Sequence, residues 1–522
     1  MRKQIHDNPI DHGRACSLSH GTWRRLGAKL ACAGACALMA GQLLLPSVAL
    51  AADWVNVGGT QYDAGTAAGD DAGTWSWDGG DDMKLNGYDG AGISAQGNLN
   101  IGVTGTNTVT ADSLRSAIEV KDGNLAITGE GTLNATAEPQ KSRSAVKVEC
   151  GSLAISGDVT LNATAGTDTI AVSGDGKTGG DVDIRGANVN VTATNKVPHT
   201  IGIHTRAGNI TINEGADVHV EAEANGGLNA VAVYAENISS EHGGCIAVDN
   251  AKLDAAARNG CSVSVALYSS GGKDTYLSIT NGADVTLVAS DRADVLDGVW
   301  MRAGDGVSRV LVENSSLTAR CGDGTGYSRK HGHGIYSQSG SQSAIPRIDI
   351  INSNVEVSGN AAAIYAVNQG DAAPCLSIDG GSVVTTPAGG TVRETVGNGL
   401  VIGAAGSSTI QDVRTSDEVA RSVVISSGDA VEPEPTPQPE PTLAPTRQPG
   451  GGSETGTPSV TLTQASSTAA ASKPAAKATA AQKSVGTLAA TGDNAATAAA
   501  ALGIAGASVI GAGLVASKRR DR

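Results

Sequence analysis

A short turn recurs in this chain with the same kind of residue at its centre, and it limits the possible folds more than any other feature. The six-residue segments 184–189, 248–253, 312–317 and 378–383 begin and end on aliphatics, and their third residues are Gly186, Asn250, Asn314 and Gly380. A form one residue longer, at 212–218 and 279–285, places Gly215 and Gly282 in its middle. Gly and Asn are the residues that tolerate a left-handed backbone. Each turn therefore reads as a tight corner with a positive φ, and its repetition reads as a chain turning the same way again and again.

The corners punctuate short alternating runs. The pattern is clearest in SAIEVKDGNLAITGEGTLNATA (116–137) and SAVKVECGSLAISGDVTLNATA (144–165), where each unit holds three runs of apolar residues at every second position. Period two marks strands with one buried face. Equivalent units recur at intervals of about 24 to 37 residues, within the range of stacked repeats. No helical period intrudes, so the fold class expected is all-β. Composition agrees: 70 glycines, no phenylalanine and 2% aromatics suit thin layers filled by Val, Ile, Leu and Ala.

These corners and runs resemble parallel β-helices of the pectin-lyase-like type, with their short Asn-bearing turn. The resemblance implies one right-handed parallel β-helix (a solenoid) over residues 90–430, of roughly eleven coils. An array of β-sandwiches is the competing fold, but it needs units nearer a hundred residues. An open stack of coils exposes strand edges and needs a cap. Residues 52–89, with Trp54, Trp75, Trp77 and Tyr88, are expected to supply it, their rings serving as cap core ahead of a sugar platform.

Both ends of the chain read as processing signals. Arg24, Arg25 and Lys29 precede an apolar run from Leu30 to Leu45, followed by Pro46 and by Ala49-Leu50-Ala51. This is the order of a secretory signal, residues 1–51, cleaved after Ala51. At the other end Leu488-Ala489-Ala490-Thr491-Gly492 precedes an apolar stretch from Ala495 to Ala516 and a basic tail. A run of about twenty apolar residues can span a bilayer as a helix, with its basic flank on the cytoplasmic side. The trio at 488–522 resembles a sortase sorting signal of the LPxTG/LAxTG type, with Ala489 where proline is usual. That resemblance implies cleavage between Thr491 and Gly492 and transfer of Thr491 to peptidoglycan, with sortase and the wall precursor as partners. Residues 431–487, rich in Pro and then in Ser, Thr, Ala and Lys, read as a disordered, extended wall-spanning stalk.

Charge and cysteine content narrow the function. A net charge of −15 argues against a nucleic-acid partner. Five cysteines lie beyond the signal, at 150, 245, 261, 321 and 375. Their number is odd and their spacing fits no metal motif, so buried thiols are expected, with Cys245–Cys261 the one pair worth testing. No residue set suggests a metal or a cofactor. Gly332-His333-Gly334 and Arg347-Ile348-Asp349 are similar to two motifs of polygalacturonase-like hydrolases, but the N-T-D motif and the paired aspartates are missing. Asp70-Asp71 and Asp81-Asp82 fall in the presumed cap. Without two carboxylates at one glycosidic bond, acid–base hydrolysis lacks its actors. No catalytic residues are therefore expected, and His331 and His333 are assigned to a glycine-rich loop.

One column of residues stands out as a candidate site. In successive units the residue after a buried aliphatic is Glu119, then Lys147, and then His204, Tyr234, Tyr268, Trp300, Tyr336 and Tyr365. Period two turns these side chains outward, so the rings should stack ~4.8 Å apart along an exposed strip. Flat rings suit sugars, and an exposed apolar stripe suggests an interaction site. Ring stacking that only stabilises the coils, or an inverted register that buries the rings, would produce the same column. The expected function is an adhesin-like display protein on the Gram-positive cell wall, with a glycan or a host or bacterial surface molecule as ligand. Polysaccharide cleavage and passive spacing are the alternatives.

Overall fold

The structure, a computed structural model, describes residues 51–111, 116–138, 143–174, 180–195, 198–237, 244–290, 293–322 and 331–428. The segments read from the sequence as a secretory signal, a stalk and a sorting signal with its apolar stretch lie outside the described residues. No helix among the described residues is long and apolar enough to cross a membrane.

The described chain is all-β. Its strands form three sheets, of 14, 13 and 12 strands, and the chain visits them in fixed order: first, second, third, then first again. Within one coil no two strands pair. Each strand bonds instead to its equivalents in the coils before and after. Leu125–Gly129, for example, runs parallel to Leu99–Thr104 and to Leu153–Ser156, with Leu125 opposite Leu99 and Leu153. Among the described residues nine coils, from Ile93 to Ser358, stack parallel in all three sheets; a tenth, from Ala362 to Thr386, also visits all three, but its last strand pairs antiparallel with Ser422–Ser427. This is the stacked, parallel, β-helix-like repeat that the period predicted.

The corners behave as their residues require. Asn250, Asn314, Gly186 and Gly380 have φ of 48°, 53°, 62° and 68°. In the longer form two adjacent residues are left-handed, Glu214 with Gly215 and Asn281 with Gly282. Corner backbones bond between coils: Asn250 N–H donates to Thr280 O at 3.1 Å, and Asn314 N–H donates to Ile351 O at 3.0 Å. A second ladder, between the first and second sheets, was not anticipated. There the N–H of Asn124 donates to Asn98 Oδ1 (2.8 Å), that of Ser152 to Asn124 Oδ1 (2.9 Å) and that of Asn209 to Asp181 Oδ1 (2.8 Å). Each side chain thus receives a backbone donor from the next coil, which pins the corners to one another.

The interior is aliphatic. Between Ile93 and Ile425 the buried core cluster holds Ile, Val, Leu and Ala with Met301, and no ring. At the N-terminal end Trp75 and Trp77 are buried, Trp77 Nε1–H donates to Gly80 O at 2.9 Å, and Trp75 packs on Tyr62. These tryptophans are cap core. Trp54–Val57 covers the first coil antiparallel to Ile93–Gln96, whereas Asp82–Asn86 already pairs parallel with Leu99–Thr104. The C-terminal end closes similarly, in a way the sequence reading did not foresee. Gly399–Gly403 lies antiparallel to Ala362–Val367, and Ser422–Ser427 lies antiparallel to Asn354–Ser358. All five cysteines beyond the signal are thiols. Only Cys321 is buried, while Cys150 and Cys261 are exposed, so the expectation of buried thiols holds at one position.

A prediction follows for the corners. Asn250→Gly should be tolerated, whereas Asn250→Val, forced into the left-handed region, should cost about 1–2 kcal/mol. Thermal unfolding followed by circular dichroism reads the difference.

Candidate functional site

The column expected from the sequence is present and in register. His204 lies opposite Tyr234, Tyr234 opposite Tyr268, Tyr268 opposite Trp300, Trp300 opposite Tyr336, and Tyr336 opposite Tyr365. Successive ring centroids are 4.8, 4.7, 4.7, 6.3 and 5.7 Å apart. The preceding aliphatics, among them Ile203, Val233, Leu267, Val299 and Ile335, belong to the interior cluster, so the rings leave the sheet on its outer side. The register is not inverted.

The strip is nevertheless not exposed. His204, Tyr234, Tyr268 and Trp300 are only 3–6% exposed, and Tyr336 and Tyr365 are half-buried. The cause lies in the strands that carry them. First-sheet strands grow from four residues, as in Ile118–Lys121, to nine, as in Asn229–Asn237 and Val295–Ala303. In the longer strands two successive residues face the interior. A Cβ on Gly334 would stand 1.9 Å from Val357 Cγ1, and one on Gly202 would stand 2.3 Å from Val220 Cγ1, so both positions point inward like their neighbours Ile335 and Ile203. The residues before that pair, Ile201, Val231, Val265, Asp297 and His333, are buried yet outside the interior cluster. They form a second column beside the rings. Near the last rung the closing segment folds over this surface, where Ala362, Val401, Ile410 and Val419 cluster with Tyr365. The outer face of the first sheet is thus a minor core.

Charge is buried within it. His204 Nδ1 lies 3.0 Å from Asp168 Oδ2, and its Nε2 lies 3.7 Å from Glu236 Oε2. Burial alone would push His204 down, but the charge and hydrogen bond of Asp168, with help from Glu236, hold it above the usual imidazole value. Burial likewise raises Asp168 and Glu236, and His204 outweighs it, leaving both below the usual carboxylate range. Desolvation first, and then neighbouring charge, push the phenols of Tyr234 and Tyr336 up. Further along, Asp297 Oδ1 accepts from His333 twice, from its backbone N–H at 3.0 Å and its Nδ1 at 2.9 Å. Trp300 Nε1 is buried without a hydrogen-bond partner among the described residues, as is Asp297 Oδ2.

Another expectation is corrected here. Neither His331 nor His333 decorates a loop: both belong to the strand His331–Ser339, where His333 is 3% exposed and its ring stacks 4.4 Å from Tyr336. Gly334 in that motif answers a packing demand, since the third sheet leaves no room for a side chain. Arg347 and Asp349 are structural, because Asp349 accepts from Arg309 Nε (2.8 Å), Arg347 Nε (2.7 Å) and Ser377 Oγ (2.7 Å). Early in the column Glu119 is buried beside Lys147 and Lys121, at 3.8 and 3.7 Å. The sequence signal for the hidden second column was the run of small residues at positions 202, 232, 266, 298, 334 and 363, all Gly or Ala.

No protein-family description, curated protein or solved structure matches the chain.

Two measurements probe this site. Trp300→Ala should cost about 3–5 kcal/mol through the cavity it opens, whereas Trp300→Phe, which keeps a ring and removes an unpaired N–H, should cost much less; thermal melts compare them. The second concerns pH. A raised histidine contributes stability that is full below about pH 6.5 and is lost as pH rises through its folded pKa. The lowered carboxylates contribute stability that is full above about pH 4.3 and is lost as pH falls through their folded values. The urea midpoint should therefore be highest between these limits and fall on the alkaline side, and His204→Asn should flatten that alkaline decline.

Proposed function

We propose that this chain is a sortase-anchored surface protein of the Gram-positive cell wall, displaying a pectin-lyase-like, right-handed β-helix as an adhesin-like binding rod. The order of signals supports anchoring: an export signal ending at Ala51, a proline-rich stalk, and Leu488 to Gly492 ahead of an apolar stretch and basic tail. Right-handed winding agrees with the strong preference of parallel crossovers.

The observation that carries display over catalysis is where the chemistry-bearing groups lie. The histidines of the pairs His204–Asp168 and His333–Asp297 are stacked on the column's rings and are both under 5% exposed. A polymeric substrate needs open groups. The ring column serves in this reading as the stiffener of the rod, and the ligand surface belongs to the exposed outer faces. Polysaccharide cleavage and passive spacing remain the competing functions.

Mass analysis of peptides from wall digests should find Thr491 joined to peptidoglycan and Ala52 at the mature N-terminus. Full-length chain recovered only from membranes would overturn the anchoring. A glycan and surface-protein array probed with the wall-released chain tests display. Reducing ends appearing in an incubated polysaccharide would favour an enzyme instead, and an array without hits would favour a spacer.

A further inference from the structure

The outer face of the third sheet changes character along the stack. In its strands Thr106–Thr110, Thr132–Thr136, Thr160–Ala165 and Asn188–Thr194, every outward position is Thr or Asn. These positions are half-buried or exposed, and the residues between them are buried. Four successive coils thus present an uncharged polar surface on a chain of net charge −15. At the next coil the face turns ionic. Lys252 meets Asp217 at 3.7 Å and Arg258 meets Glu221 at 3.3 Å, so charges there are matched between coils.

The neutral region is also ordered. Asn162 Nδ2–H donates to Asn134 Oδ1 at 2.8 Å, and Asn190 Nδ2–H donates to Asn162 Oδ1 at 2.9 Å. A carboxamide has two donor hydrogens and two acceptor lone pairs, so a rung that gives one and accepts one keeps one of each for the solvent side. The amides are therefore held in a single orientation before any ligand arrives, which lowers the ordering cost of binding. On either side, Thr132, Thr136, Thr160 and Thr164 stand half-buried at the surface. Rows of donors and acceptors repeat at the coil spacing of ~4.8 Å.

We infer that this face binds an extended, uncharged β-1,4-linked glycan lying along the stack, with one sugar over each coil. The inference rests on the display reading and names its ligand class. A β-1,4-linked chain is straight and flat, and its advance per sugar is close to the coil spacing. Its equatorial hydroxyls meet the amide rungs, and its ring C–H faces meet threonine methyls. Neutrality sets the partner's charge: an anionic polymer finds no cation among the outward residues of these four strands. Four rungs take about four sugars before the ionic coils begin.

The test is calorimetric titration of the intact chain with cellohexaose, beside maltohexaose, whose α-linkages coil, and a hexameric oligogalacturonate, which is anionic. Cellohexaose should bind, and the other two should bind at least about tenfold more weakly. Asn162→Asp, which adds charge at nearly constant shape, and Thr136→Arg, at an outward position two residues from the Asn134 rung, should each weaken cellohexaose about tenfold or more while the melting temperature moves little. Equal binding of maltohexaose overturns the inference, as does unchanged binding in both variants. Self-association through this face, seen in sedimentation and abolished by Thr136→Arg, would assign the face to a second copy and also overturns it. Silence of cellohexaose with hits elsewhere on the array removes this inference and leaves the display reading standing; silence of both removes both.

Discussion

Between the two closing ends, each strand of this protein pairs only with its equivalents in the coil before and the coil after. That dependence has two consequences. A buried backbone donor or acceptor left unpaired is costly, so each coil must copy the path of its neighbour closely enough to keep the ladder unbroken. Corners must then share a conformation, which explains the left-handed Asn250, Asn314 and Gly380 at matching places. The interior must also keep one cross-section. Leucine over leucine and isoleucine over isoleucine, as at Leu99, Leu125 and Leu153 or Ile101, Ile127 and Ile155, fills each layer with the same volume. Where two inward residues come in succession, one must be Gly or Ala, or the coil would have to swell.

The legible parts of the structure follow from that copying. The corners could be read because a positive φ accepts few residue types. The three-strand unit could be read because alternation survives in each copy. The column from His204 to Tyr365 could be read because equivalent positions in stacked coils are neighbours by construction. Its burial could not. Period two tells which side of a sheet a residue leaves from, and it says nothing about what covers that side. Here the cover comes from a second column, Ile201 to His333, created when the strands lengthen to seven and then nine residues, and from Val401 and Val419 in the closing segment. The closing segment was itself illegible, since its antiparallel strands end the repeat and copy nothing. His333 was misplaced for a related reason. Glycines on both sides suggest a loop locally, whereas Gly334 is glycine because Val357 lies against it across the coil.

The same constraint decides where aromatic residues can go. A ring in the interior would need matching space in the coils on both sides, and between Ile93 and Ile425 the interior cluster has none. Rings are found where the copying rule is relaxed. In the cap, Trp75 and Trp77 meet only one coil below them, so their bulk is accommodated on the free side. On the outer side of the first sheet the width is not fixed by opposing sheets, and rings can stack on rings at 4.7–4.8 Å, close to the natural strand spacing. Offset stacking of this kind adds about 0.5–1.5 kcal/mol per pair beyond area burial, and the column is continuous, so the gain is repeated between successive coils. It also shelters His204 with Asp168 and Glu236, whose ion pairing is stronger there than in water. The outer face of the third sheet shows the opposite use of the same freedom. Over its first four coils the outward rows stay short and polar, and the amide ladder orders the surface without closing it. One sheet thus turns its outer side into scaffold, while another leaves its outer side open as surface.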